Sequence, residues 1–303
     1  MAISRSQLVK ELEPGLNALF GLEYKRYENQ HAEIYATENS DRAFEEEVML
    51  SGFANAQVKG EGSGVSFDEA QETFTARYTH ETVALAFAIT EEAIEDNLYD
   101  RLASRYTKAL ARSMSNAKQV KSVEPLINGL PTADAFDSGD GVSLFNTSHP
   151  TVAGTFANTL ATQADLNETS LEQSLIDIAE MSDERGLRIA ARGVKMIIPS
   201  ELQFTAERLM KSQGRTGTAD NDINAIVSMG MIPQGYRVNN YLTDSDAFYI
   251  LTDVPNGMKM FNRSPLKTAM EGDFDTGNVR YKARERYSFG VSDPRGIFGV
   301  EGA

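Results

Sequence analysis

The 303-residue chain contains no cysteine and no tryptophan. Without a thiol there is no disulfide, no zinc–thiolate or iron–sulfur site and no cysteine nucleophile. Histidine is scarce as well: His31, His80 and His149 are the whole supply, so imidazole chemistry has few candidates. No apolar run approaches the roughly 18 residues that a membrane helix needs. The opening "MAISRSQLVKELEPG" lacks the apolar stretch of a signal peptide. A soluble protein made in a cytoplasm is the expectation. Positive charge is the minority sign, with 29 Lys and Arg against 44 Asp and Glu and a net charge of −15. Such a chain repels phosphate, so gripping nucleic acid is not its expected main task. Any positive surface has to be local.

What remains is a chain long enough to bury a substantial core as one large domain or two modest ones, with 41% hydrophobic residues. Residues 1–45 mix helical and irregular signals. A short helix is expected to break at Pro14-Gly15 and a second to end near Gly21, after which "EYKRYENQHAEIYATENSDR" reads as an extended arm lying on something else. Residues 46–89 read as a β-hairpin around "KGEGSG". Phe74, Ala76, Tyr78 and His80 share one face, and from Val83 the apolar residues move to odd positions. That parity change predicts a bulge or a change of covered surface. Arms of about 18 residues at about 3.3 Å each would span roughly 60 Å. A compact chain of this size has a radius of gyration of only about 19 Å. The hairpin should therefore project from its own body and rest on a neighbouring subunit.

A helix is expected over residues 90–122, with Thr90 as N-cap, acidic residues at its start, basic residues at its end and a stop at Pro125. At about 1.5 Å per residue it would be nearly 50 Å long, a spine for the fold. Residues 125–168 are loop-rich. Capping boxes at Thr169/Glu172 and Ser200/Gln203 predict two further helices, with "VKMIIP" between them as a short buried strand. More strands follow, which makes the class α+β. In "NVRYKARERYSFG" (278–290) the odd positions Val279, Tyr281, Ala283, Tyr287 and Phe289 are apolar, whereas Arg280, Lys282, Arg284 and Arg286 form an even-numbered row. One face should pack on a core and the other present charge. Glu285 interrupts the apolar side, as at a sheet edge. The row could be solvated, could pair with carboxylates of a neighbouring copy, or could touch nucleic acid.

Catalytic patterns are weak. "GEGSG" (60–64) sits between strands without the Lys-Ser/Thr of a phosphate loop, and "DSGDG" (137–141) lacks the distal acid of a calcium loop. His149 in "FNTSHP" lies beside Ser148, but no nucleophile elbow accompanies it, and a loop histidine bonded to backbone is the plainer reading. Glu45, Glu46 and Glu47 form an acidic run suited to a solvated face or an inter-subunit contact. No cofactor, metal or catalytic site is expected.

Several strings carry a family resemblance. "LFNTSHP" (144–150), "IIPSELQFTAERLM" (197–210), "PNGMKMF" (255–261) and "GDFDTGNVRYKARERYSFGVSDPRGIFG" (272–299) resemble Hong Kong 97-type major capsid proteins of tailed bacteriophages, including Mu-like head subunits. The resemblance implies hexamers and pentamers tiling an icosahedral shell around packaged DNA; an encapsulin-type compartment shares the fold and is the alternative. It implies an N-terminal arm (1–45), an extended loop (46–82), a peripheral domain with the spine helix (83–129), an axial domain (130–265) and a returning peripheral strand (266–303). Glu45, Glu46, Glu47, Lys59, Arg280, Lys282, Arg284 and Arg286 become candidate inter-subunit contacts, with an inward face toward DNA as the alternative for the basic row. Some relatives carry a cleaved scaffolding segment for which an arm starting at Met1 leaves no room, so a separate scaffolding protein is expected, together with a portal protein, a decoration protein as a further partner, weak non-specific DNA contact and no membrane. Some relatives cross-link through a loop lysine. Lys59 is the one lysine in this loop, and one lysine does not establish that chemistry.

Overall fold

The computed structural model describes residues 5–90, 92, 99–133, 135–214, 222–273 and 277–303. In chain order, the first elements are α1 (Arg5–Arg26), a 3-10 turn (Gln30–Glu33), β1 (Ala36–Asn39), β2 (Phe44–Leu50), β3 (Glu72–Thr79), β4 (Glu81–Ile89) and α2 (Tyr99–Asn128). β5 (His149–Thr151), β6 (Gly154–Phe156), α3 (Glu168–Glu180), β7 (Gly193–Ile198), α4 (Gln203–Lys211) and α5 (Ala225–Met229) follow. β8 (Tyr236–Val238), β9 (Phe248–Thr252), β10 (Met258–Gly272), β11 (Val279–Val291), a second 3-10 turn (Pro294–Gly296) and β12 (Ile297–Val300) complete the chain.

One sheet has the order β1-β10-β11-β4, antiparallel except for the parallel pair β1/β10. The alternation in β11 turns Tyr281 and Ala283 inward onto Leu110, Ala111 and Met114 of α2 and onto Leu16 and Phe20 of α1. Each fully buried side chain of this size stabilises the fold by about 1.5–3 kcal/mol. The second sheet, β12-β9-β7-β8, is covered on one face by α3, α4 and α5. In β9, Phe248 and Ile250 point to that side, while Tyr249 points to a core shared with Val123 and Leu126 of α2 and with Met258, Met260 and Tyr287 of the first sheet. Strands buried on both faces read as continuous apolar runs, as "VKMIIP" does.

Several expectations need correction. α1 runs unbroken through Pro14, because Leu16 and Phe20 anchor its second half in the α2–β11 core; packing outweighs the one hydrogen bond that proline removes. The segment behind it does not lie wholly outside the body: His31, Ile34 and Tyr35 are buried. Tyr35 donates to the Ser122 carbonyl (2.6 Å), and the His31 N–H donates to Gln119 Oε1 (3.0 Å). Pro125 lies inside α2, which continues to Asn128 because Leu126 is needed in the shared core. Residues 91 and 93–98 of the expected helix start lie outside the described residues. The cap of α3 is Asn167, reciprocally bonded with Ser170, not Thr169 with Glu172. α4 starts after Leu202 with no side-chain cap. Glu285 is buried in a central strand, flanked by β10 and β4, and is not at an edge.

Candidate assembly interface

The hairpin is shorter in hydrogen bonds than expected and long in chain. β2 and β3 pair over Phe44–Leu50 and Glu72–Thr79, and residues 51–71 have no regular structure apart from a turn at Glu61–Gly62. The parity change has its cause at His80. There the strand leaves β2 and, as β4, joins β11. His80 is buried between Ser288 and Ser40, bonding one through each ring nitrogen (2.9 and 3.0 Å). Beside the junction Gly290 faces Tyr78: a Cβ there would sit 2.6 Å from the ring.

The loop root is held. The Ala54 N–H donates to Asp68 Oδ2 (2.7 Å), and Arg185 reaches the Glu69 carbonyl. Beyond it the chain is bare. Val58 is 101% exposed and Phe67 97%, and Val65 is also exposed. Lys59 stands at the tip, exposed, beside the turn. Large apolar side chains so fully solvated on a loop mark a surface that another surface covers.

The basic row lies on the outer face of the first sheet. Arg280, Lys282 and Arg284 are exposed and Arg286 half-buried. Across the strand pair stand Ala88, Ala86 and Ala84 of β4, too short to cover the long stems. Arg280 is engaged by Asp273, and Arg286 reaches the carbonyls of His80 and Ala43 (both 3.5 Å). Among the described residues, Lys282 and Arg284 meet no carboxylate. Lys267 lies opposite Arg284 on β10 and adds to the positive field.

The acidic trio is occupied within its own chain. Glu45 accepts from Ser40 Oγ (2.6 Å), Glu46 faces Arg77 (3.6 Å) and Glu47 pairs with buried Lys259 (2.6 Å), which also meets Glu38 (3.3 Å). The Glu47–Lys259 pair braces the hairpin root against β10.

His149 is buried, stacked on Phe156 with ring centroids 4.7 Å apart. Its Nδ1 bonds Asp140 (2.6 Å), and its Nε2 meets the Leu144 carbonyl (3.2 Å) and Asn158 Oδ1 (3.0 Å). Burial raises the Asp140 carboxyl, but the bonds from His149, Ser138 and the Val142 N–H outweigh it and hold it below the usual carboxylate range. Both ring nitrogens are used, and Ser148 spends its N–H on Asn146 Oδ1 (2.9 Å). The arrangement is a structural clamp on the 137–158 loops.

Two buried ion clusters were not foreseen. Arg295 pairs with Glu184 (2.7 Å) and Asp293 (3.3 Å), donates to the Ser182 carbonyl (2.8 Å) and lies over Phe156 (4.1 Å). It locks the C-terminal strand onto the loop after α3. "SDPR" in an apolar C-terminal run was the visible sign. Glu285 pairs with Lys118 (3.2 Å) and takes a long bond from Tyr24 (3.4 Å), joining β11, α2 and α1. Burial pushes the Glu285 carboxyl up, against the pull of Lys118. The one signal for it was an acid on an apolar face.

A family model described as "Phage capsid protein" matches residues 72–300. The chain belongs to that family. This capsid protein has the Hong Kong 97-type fold, shared with solved shells at identities that speak for the fold alone. The capsid of Myoviridae phage XM1 is similar at a TM-score of 0.54 and 11% identity, covering 89% of this chain and 90% of that one. The virus-like particle from Pyrococcus furiosus is similar at 0.53 and 10%, covering 94% and 98%. The capsid of an empty GTA particle is similar at 0.52 and 14%, covering 90% and 89%. No curated protein matches the sequence. The protein is a major capsid protein of the virion, and many copies of it build the shell. No helix among the described residues is long and apolar enough to cross a membrane.

Proposed function

We propose that this capsid protein assembles as hexamers and pentamers into an icosahedral shell around packaged DNA, in the host cytoplasm and without catalytic activity. The observation that carries the reading is the bare loop, whose Val58, Val65 and Phe67 have nothing among the described residues to bury against. In this reading residues 1–45 serve as the arm, 46–82 as the extended loop, 83–129 and 266–303 as the peripheral domain and 130–265 as the axial domain. Lys282 and Arg284 take carboxylates of a neighbouring copy's loop or arm, with Arg280, Arg286 and Lys59 at the margins. Of the acidic trio, Glu46 is the most open to such a contact, being exposed despite its pairing with Arg77. A separate scaffolding protein, a portal and a decoration protein are the partners that the resemblance to tailed-phage head subunits suggests, and DNA contact stays weak because the chain carries −15.

Replacing residues 55–67 with a short Gly-Ser turn should leave a soluble subunit that forms no shells by electron microscopy. Normal shells from that variant would refute the reading. Arg284→Glu should lower shell yield while the subunit stays folded; normal shells that retain DNA poorly would instead place the row on the inner face. Shells that enclose protein and no DNA would favour the compartment reading.

A further inference from the structure

α3 and α5 leave a groove between them that nothing among the described residues fills. Leu175, Ile176, Ala179, Ala225, Met229 and Met231 line it, and it encloses about 280 Å³. Ile176 is 52% exposed and Met229 70%. An apolar cavity of about 150 Å³ already accepts a benzene ring, so this groove has room for an aromatic side chain. At its rim stands Glu172, one helical turn before Ile176. Glu172 has no hydrogen-bond or ion-pair partner among the described residues.

The complementary shape is on the other side of the same layer. α4 buries Ala206 and Leu209 in the core and turns Phe204 outward, 71% exposed. One turn further along, Arg208 is exposed, and among the described residues its side chain makes just a long bond to Thr205 (3.5 Å). α5 lies between α4 and the groove: the Asn224 side chain that caps α5 donates to the Leu209 carbonyl of α4 (2.7 Å). A chain therefore cannot place its own α4 in its own groove without dismantling this layer.

We propose that α4 of one copy lies antiparallel to α3 of the next, with Phe204 in the groove against Ile176 and Met229, and Arg208 on Glu172. Both pairs sit four residues apart on their helices, about 6 Å along the axis, and the order apolar-then-charged runs up α4 and down α3. This is recognition of a helix by an apolar groove with a charged clasp. Because knob and groove are different patches of one subunit, the contact is head-to-tail, the type that builds a ring when the rotation between neighbours closes. The inference rests on the shell reading and deepens it by naming which surfaces join neighbours within a ring.

The test uses the full-length chain. Phe204→Glu, Arg208→Glu and Glu172→Arg should each lower shell yield about tenfold, since each places like or unpaired charge at the contact. The double variant Arg208→Glu/Glu172→Arg should restore it. The chain has no native cysteine, so Arg208→Cys/Glu172→Cys can be joined cleanly by a short bismaleimide, which spans the gap that the two long side chains fill and a direct disulfide cannot. It should give a ladder beyond dimers on a denaturing gel, while each single-cysteine variant stays monomeric. Full shell yield from the single variants, no rescue by the double, or shells without a ladder would overturn the proposal while leaving the shell reading intact. Dimers from a single-cysteine variant would show a two-fold contact and overturn it as well. A wild-type protein that forms no shells would instead count against the shell reading itself.

Discussion

Replacing Lys118 with methionine tests the joint between α1, α2 and β11. The aliphatic stem of Lys118 carries an ammonium that lies 5.0 Å from the centroid of the Tyr287 ring and 3.2 Å from Glu285, both charged side chains being largely shut off from water. Methionine retains the stem and removes the charge. Glu285 would then be a buried carboxylate with Oε1 already unpartnered and only the 3.4 Å bond from Tyr24 on Oε2. Breaking a buried pair from one side costs about 3–5 kcal/mol, a fifth or more of a typical stability of about 5–15 kcal/mol. At a urea dependence of about 3 kcal/mol per molar, the unfolding midpoint should fall by roughly 1 M or more. Glu285→Gln carries no charge into the core, so Lys118→Met/Glu285→Gln should recover most of the loss. Far-ultraviolet circular dichroism on unassembled subunit, as a double-mutant cycle, measures the coupling. The pH dependence has a definite sign. Burial already raises the folded-state pKa of Glu285 above its ordinary 4.5, so this carboxyl favours the folded state below that pH and loses that contribution as pH rises. Lys118→Met raises it further, and its defect should shrink on acidification. A Lys118→Met protein within about 0.5 kcal/mol of wild type, or a double variant as unstable as the single, would refute the reasoning.

The other expectations concern the histidines. Burial, reinforced by Lys118 and opposed by Gln119, lowers the His31 pKa from 6.5 to about 4. The unfolded state therefore binds the proton first, so stability should fall between pH 6.5 and pH 4, by about 3 kcal/mol at 1.36 kcal/mol per pH unit. His31→Leu should flatten that part of the urea-midpoint profile, and an unchanged profile would assign the acid sensitivity elsewhere. His149→Ala takes the His149 bond from buried Asp140 Oδ2 and from Asn158 Oδ1 and empties the space over Phe156, and should cost about 3–5 kcal/mol in the same denaturation assay; a fully stable variant would contradict the clamp.

How far the sequence could be read depended on whether a segment's partner was near or far along the chain. β11 was legible because a period-two pattern states its own two faces, and its basic row does lie outward. The spine helix was legible from its period, but its end was not: Pro125 looked like a stop because the local rule does not know that Leu126 is wanted in a core built from residues 249 and 287. The arm was misjudged for the same reason. "EYKRYENQHAEIY" is polar on average, yet His31 and Tyr35 find Gln119 and Ser122 some ninety positions away. Glu285 resembled an edge residue because its cation, Lys118, sits 167 positions off. The acidic trio was read as open to neighbours, and the fold had already matched each carboxylate to a cation or hydroxyl near the hairpin root.

Composition and periodicity determined that this is a cysteine-free α+β protein with a long helix and one local row of positive charge, because those properties depend only on residue type and spacing within a single element. Tertiary structure alone decided which charges are spent inside the chain and which stand free for a second copy. Pairing of that kind is set by which residues meet across elements, and distance in space is not written in distance along the sequence.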